Sequence, residues 1–224
     1  MRRLSGWDHG AILITAVQLA AAIHVWFNGI EGAIPMHFNV EGEVDRWGDR
    51  REAALIVLVC GIATLLAHLA VNWAEGRSRL PKSSQAAMAM GRLVGLITPL
   101  SVSALIGGVA LGLYWGDPTN VFRTIMALAW VLIAVVGAMC GKVGPNRWAG
   151  LRMSWTFKSR LAWEKSNRLL GRIYFFGAVG GLFAIPFLSN RWIIHSFLLV
   201  VLGGAIASSF QAWRTWKNDP EKLP

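Results

Sequence analysis

Four residues able to bind a proton or a metal, His37, Glu41, Glu43 and Asp45, crowd one segment, Ile34-Pro35-Met36-His37-Phe38-Asn39-Val40-Glu41-Gly42-Glu43-Val44-Asp45-Arg46-Trp47-Gly48-Asp49-Arg50. A single imidazole among scattered carboxylates lacks the spacing of a zinc or transition-metal ligand set, so no metal and no cofactor are expected. Catalysis would need a nucleophile and base, paired carboxylates or a metal cluster converging on one site. Acidic side chains on an exposed loop ordinarily serve solubility and turn formation, and the chain is not expected to be an enzyme. Pro35 favours an extended approach, Gly42 and Gly48 permit tight turns, and Asn39, Asp45 and Asp49 can accept hydrogen bonds from nearby amides. Phe38 and Trp47 would anchor such a loop against a membrane face. Two readings stay open: a ligand-facing surface, or a self-capped turn whose polar groups serve its own backbone.

A second informative segment runs Gly144-Pro145-Asn146-Arg147-Trp148-Ala149-Gly150-Leu151-Arg152-Met153-Ser154-Trp155-Thr156 and on through Asn167 and Arg168. Its first half is turn chemistry, and Ser154 or Thr156 can cap the helix that follows. Arg160, Glu164, Arg168 and Arg172 recur every four residues, while Phe157, Leu161 and Trp163 offer apolar area. The pattern predicts a basic amphipathic helix at the membrane surface, either anchored by anionic lipid or docking a cytoplasmic partner.

Both segments lie between long apolar runs. Of 224 residues 54% are hydrophobic and 15% charged, and the mean hydropathy is +0.46, a balance suited to a membrane protein. The net charge of +10 resides in short segments between apolar runs, which sets orientation and does not point to direct nucleic-acid binding. Cys60 and Cys140 fall in separate apolar runs and read as small buried hydrophobes. A spanning helix needs about 20 mainly apolar residues. Six runs qualify: Gly10–Asn28, Ala53–Ala74, Leu93–Trp115, Val121–Cys140, Leu169–Leu188 and Arg191–Trp213. The first continues past Arg2 and Arg3 to Asn28 without a small-residue cleavage site, so it is read as a span and not a signal peptide. Trp7, Trp26, Trp73, Trp115, Trp192 and Trp213 mark the edges, where indoles favour the headgroup boundary.

Lysine and arginine counts set the direction. With the N-terminus inside, the inner segments hold Arg2, Arg3, Arg77, Arg79, Lys82, Arg92, the basic stretch from Lys142 to Arg172, and Arg214, Lys217 and Lys222, against Arg46, Arg50, Arg51, Arg123 and Arg191 outside. The expected fold class is therefore all-α: a polytopic six-helix membrane bundle, both termini cytoplasmic, with an ordered outer loop and an inner amphipathic helix. Glycines four apart, Gly91/Gly95, Gly108/Gly112, Gly137/Gly141 and Gly177/Gly181, suit close helix packing within the bundle or a homo-oligomer. Pro99 and Pro186 should kink their spans.

Pro35, His37, Phe38, Asn39, Gly42, Asp45, Trp47 and Arg50 resemble the Pro-x-His-Phe-x-x-x-Gly-x-x-Asp pattern of an uncharacterised N-terminal domain common among SdpI-family proteins, with Arg50 where that family usually has Lys. Asn146, Arg147, Gly150, Arg152, Trp155, Thr156, Ser159, Trp163 and Asn167, after Gly144 and Pro145, resemble the family's Asn-x-x-x-Gly-x-Arg-x-x-x-Thr core with its later tryptophan. The resemblance implies residues 1–80 as a two-helix unit carrying the outer loop and 81–224 as a four-helix SdpI-like unit, in a bacterial cytoplasmic (inner) membrane. It further implies immunity to a secreted antimicrobial toxin, peptide or protein, met by the outer set of residues. In some members it implies recruitment of a cytoplasmic repressor, here to the inner set, with membrane lipid as the other inner partner.

A small transporter is the alternative. It requires polar groups deep in the spans, and Gln18, His24, His68, Asn72, Thr98 and His195 are what these spans offer. With the boundaries above no span contains an acidic residue, which argues against a carboxylate proton relay.

Overall fold

The structure, a computed structural model, describes residues 5–77, 82–113, 117–146 and 149–223. Arg2, Arg3, Arg79, Trp115 and Arg147, each assigned a role above, lie outside the described residues. The chain is all-α and polytopic apart from one small hairpin. In order it forms α1 (Gly6–Asn28), β1 (Ile34–Phe38), β2 (Val44–Gly48), α2 (Arg50–Arg77), α3 (Lys82–Ala110), α4 (Pro118–Cys140), α5 (Ser154–Lys158), α6 (Arg160–Ala184), a 3₁₀ turn (Ile185–Phe187) and α7 (Asn190–Lys217). Among the described residues, α1 to α4, α6 and α7 are the six helices long and apolar enough to cross a membrane. Their large exposed side chains, among them Leu13, Phe27, Leu66, Phe183 and Leu199, suit a lipid solvent.

The helices outrun the apolar runs because polar residues cap them. Ser5 and Asp8 form a reciprocal capping box that starts α1 before the first apolar residue. Asp49 accepts from the amides of Arg51 and Glu52 at the start of α2, and Ser159 accepts from Ala162 N at the start of α6. The third helix ends at Ala110, short of the expected Trp115, because Gly112 adopts φ 74° and its amide closes the helix end onto Val109 O. Gly112 is thus a terminator and not a packing partner of Gly108. Pro99 does lie inside α3, but Pro186 sits in the 3₁₀ turn that ends α6, so it stops that helix instead of kinking it.

The chain divides into two compact units, Met1–Gly76 with Arg92–Leu128, and Arg77–Gly91 with Ala129–Pro224. In this division most of α3 and the first half of α4 pack with the first unit. That unit's core joins Ala22 and Val25 of α1, Ile34 of β1, Ala53, Ala54 and Val57 of α2, Leu105, Ile106, Val109 and Ala110 of α3, and Val121 of α4. In the same unit Gln18 is 1% exposed; its Nε2 donates to Ser103 Oγ (2.8 Å) and its Oε1 accepts from Thr64 Oγ1 (2.9 Å). One amide therefore ties α1, α2 and α3, an arrangement that suits hydrocarbon, where no water competes.

In the second unit glycine sets the helix approach. A Cβ on Gly137 of α4 would lie 2.5 Å from Phe175 N and 2.9 Å from Gly171 O of α6, so the two backbones touch. Gly181 accommodates the buried Trp130 ring, which meets Phe197 edge-on at 5.0 Å, and Gly177 takes Val200. Glycines 177 and 181 thus receive two different helices, and Gly137 pairs with Gly171 across helices, while Gly141 lies just past the end of α4. Gly137→Val should cost about 1–3 kcal/mol through overpacking against backbone that cannot yield. Thermal unfolding in detergent should show a clear drop for Gly137→Val and little change for Gly180→Val, where nothing lies within 4 Å.

Candidate functional site

The segment expected on the outer face, termed the outer segment, folds as a hairpin. β1 and β2 pair antiparallel with Ile34 opposite Gly48, Pro35 opposite Trp47, His37 opposite Arg46 and Phe38 opposite Val44, and an irregularity on each side of His37 breaks strict alternation. Asn39 builds the turn: its Oδ1 accepts from Glu41 N and Glu43 N, both at 3.0 Å, and Gly42 adopts φ 77°. The base is fastened to the helices. Ile30 N donates to Ala110 O, Arg50 Nη1 donates to Gly29 O (3.1 Å) and lies 3.4 Å from Glu31, and the Phe38 ring packs 5.6 Å from Phe122.

The eight outer residues thus divide by role. Pro35 is buried, Phe38 and Arg50 seat the hairpin, and Asn39 and Gly42 shape its turn. His37, Asp45 and Trp47 face outward. Asp45 does not bond back to the backbone as expected but accepts from His37 Nδ1 at 2.6 Å, with the two side chains 44% and 64% exposed. Arg46 beside them pairs with Glu52 at 2.6 Å. An open cleft of about 480 Å³ lies at the hairpin base, lined by Ile30, Glu31, Gly32, Ala33 and residues 49–51. This face can offer both charge signs and an indole to a ligand. Among the described residues no three His, Cys, Asp or Glu side chains converge as metal ligands.

The inner segment is held together by its own polar side chains. Asn146 donates to Gly144 O and Ala149 O and accepts from Ala149 N. Gly150 adopts φ 105°, and a Cβ there would run into Asn167 Oδ1 and the Trp163 ring. That closeness lets Asn167 Oδ1 accept from Leu151 N at 2.7 Å, while its Nδ2 donates to Trp163 O and the Trp163 indole donates to Val143 O at 2.8 Å. Thr156 Oγ1 accepts from Met153 N and faces the carbonyls of Leu151 and Met153. Thr156 thus closes the start of the short α5 that directly follows, whereas the long α6 is capped by Ser159. Its hydroxyl also donates to Asp219 Oδ2 at 2.5 Å, and Leu223 N donates to Lys158 O, so the C-terminal tail is latched beside α5.

Asn146, Thr156, Ser159, Trp163 and Asn167 are therefore buried, and Trp163, expected on the membrane-facing side, is fully enclosed. Trp155 is half-buried, and Arg152 is exposed. The basic stretch is divided between α5 and the first turns of α6, which continue without interruption into the span. Arg160, Arg168 and Arg172 stay exposed, with Arg160 Nε donating to Glu164 at 3.0 Å.

A third polar cluster, missed in the sequence, lies within the first unit. Asp8 Oδ1 accepts from His68 Nε2 (2.7 Å) and Asn72 Nδ2 (2.9 Å), and Arg92 Nη2 donates to Asn72 Oδ1 (2.8 Å) and Glu75 Oε2 (2.5 Å). His68 and Arg92 are 4% and 8% exposed. Asp8 and Glu75 belong to spanning helices, which corrects the expectation that the spans hold no acidic residue. The signal was the i, i+4 spacing of His68 and Asn72, named above only as polar groups that the spans offer a transporter, with Glu75 one turn on.

Residues 142–211 match the model of the SdpI/YfhL protein family. Over this segment, less than half of its length, the chain is similar to the SdpI/YfhL family. The match takes in the inner loop, α5, α6 and most of α7; the outer hairpin lies outside it. No curated protein and no solved structure matches the chain. The Asn, Gly, Thr, Trp and Asn of the SdpI-like inner pattern are the residues that close this loop, so the pattern records a scaffold. Asn167→Ala would leave Leu151 N unsatisfied, at a cost of about 1–3 kcal/mol. Faster exchange of the Leu151 amide and a lower unfolding temperature are expected, with a smaller loss for Asn167→Asp, which keeps the acceptor. For the latch, the Ser159 hydroxyl and then the Glu221 amide hold the Asp219 carboxyl below the ordinary 3.8. A depressed carboxyl stabilises above its unfolded pKa, and that contribution disappears as pH falls through the lower folded value. Proteolytic nicking of the tail should be resisted at neutral pH and appear only after exposure below about pH 3.8, whereas Asp219→Asn should be nicked at neutral pH too.

Proposed function

We propose that this multi-pass SdpI-family membrane protein is an immunity and receptor protein of the bacterial cytoplasmic membrane. On this reading a secreted antimicrobial peptide or protein meets the outer hairpin, and the inner loop with its basic surroundings is the output side, in some settings recruiting a cytoplasmic repressor. The excess of lysine and arginine in the inner segments supports this sidedness. The observation that carries the reading is the hairpin: a rigidly seated loop whose outward face keeps His37, Asp45 and Trp47 for something other than its own fold. The buried inner residues then act as scaffold, and exposed Arg152, Arg160 and Arg168 become the partner-facing groups.

The test is protection. A toxin-sensitive strain expressing the intact protein should survive a candidate toxin, and His37→Ala or Asp45→Ala should reduce survival at equal protein level. Absence of protection by the intact protein against every candidate toxin would overturn the reading.

The cluster of Asp8, His68, Asn72 and Arg92, with His68 and Arg92 buried, favours a second reading, a small transporter, since ionisable groups within spanning helices commonly line ion or proton routes. Proteoliposomes should then show a solute or proton flux that His68→Gln abolishes.

A further inference from the structure

The start of α6 and the end of α7 enclose a groove of about 300 Å³, lined by Leu161, Lys165, Gln211, Arg214, Thr215 and Asn218. Lys165 and Arg214 are exposed, and among the described residues neither has a carboxylate within 4 Å. The neighbouring charges are engaged elsewhere. Arg160 pairs with Glu164, Lys217 lies over Trp213, Lys222 lies over Trp216, and Asp219 turns to Ser159. The groove thus presents two cations, the hydroxyl of Thr215 and the amides of Gln211 and Asn218, with Leu161 at its rim. The N-terminal end of α6 and the C-terminal end of α7 meet here with opposing dipoles, so the charge preference of the groove rests on its two cations.

We propose that this groove binds the phosphodiester headgroup of an anionic phospholipid. The site needs negative charge, because a choline headgroup would bring a third cation to an uncompensated pair. It needs an acyl-linked anion because it opens at the ends of two spanning helices, level with Trp213 and next to exposed Phe210, where lipid phosphates reside. The groove takes no residue from the inner sequence pattern, and the proposal rests on membrane embedding alone and not on the immunity reading.

Full-length protein in detergent is titrated with phosphatidylglycerol or phosphatidylcholine and bound lipid is counted by native mass spectrometry, with glycerol 3-phosphate as a soluble competitor. Each basic residue near a membrane surface contributes about fivefold in affinity, so removing two should lower phosphatidylglycerol retention by roughly thirtyfold. The Lys165→Gln, Arg214→Gln double variant should retain the two lipids equally, while an Arg160→Gln, Arg172→Gln control of equal charge change keeps the preference. Both variants change exposed side chains, and matched unfolding temperatures in phosphatidylcholine verify their folding. An unchanged preference in the double variant, equal losses in the two double variants, or displacement by millimolar glycerol 3-phosphate would each overturn the proposal.

Discussion

A chain in hydrocarbon must satisfy its own backbone. A helix does so internally, and in the two ordered loops side chains take over amides and carbonyls that the helices leave exposed. Asn39 does this at the hairpin turn, Arg50 at Gly29 O, Asn146 at Gly144 and Ala149, Asn167 at Leu151, and Trp163 at Val143 O. The two ordered loops follow from that requirement.

The same scarcity of water explains how the helices associate. Apolar side chains gain little by leaving lipid for protein, so contact depends on close backbone approach and on polar groups that find partners only in each other. Each unit emphasises one of these. The first uses the Gln18 tie and the Asp8, His68, Asn72, Arg92 and Glu75 network across α1, α2 and α3. The second uses glycine: Gly137 against Gly171, Gly177 under Val200 and Gly181 under Trp130. Burying His68 and Arg92 of an ionic network is an expensive way to hold helices together when glycine would serve, and it is this expense that gives the first unit a chemical interest beyond packing.

The loops also separate recurrence from exposure. The residues that make the inner segment recognisable as SdpI-like are the ones withdrawn from solvent, and those that remain accessible, Arg152, Arg160, Lys165, Arg168 and Arg214, are mostly outside the pattern. The outer segment behaves similarly for Pro35, Asn39 and Gly42, but it leaves His37, Asp45 and Trp47 outside. A motif in a membrane loop is first a solution to backbone satisfaction. Function occupies the positions which that solution leaves free.

The sequence by itself determined the number of spans, their approximate limits, the all-α class and the location of both ordered loops, because hydropathy and turn chemistry act over a few neighbouring residues. It also carried the caps only partly: the acceptor role of Asn39 was legible from its place beside Gly42, whereas the Ser159 cap of α6 was passed over. Tertiary structure decided whatever joins residues far apart. The pairing of Gly137 with Gly171, the enclosure of Trp163 by a carbonyl twenty positions earlier, and the meeting of Asp8 with His68 all depend on which helix faces come together. No periodicity encodes that choice, since in these helices lipid-facing and protein-facing surfaces are almost equally apolar.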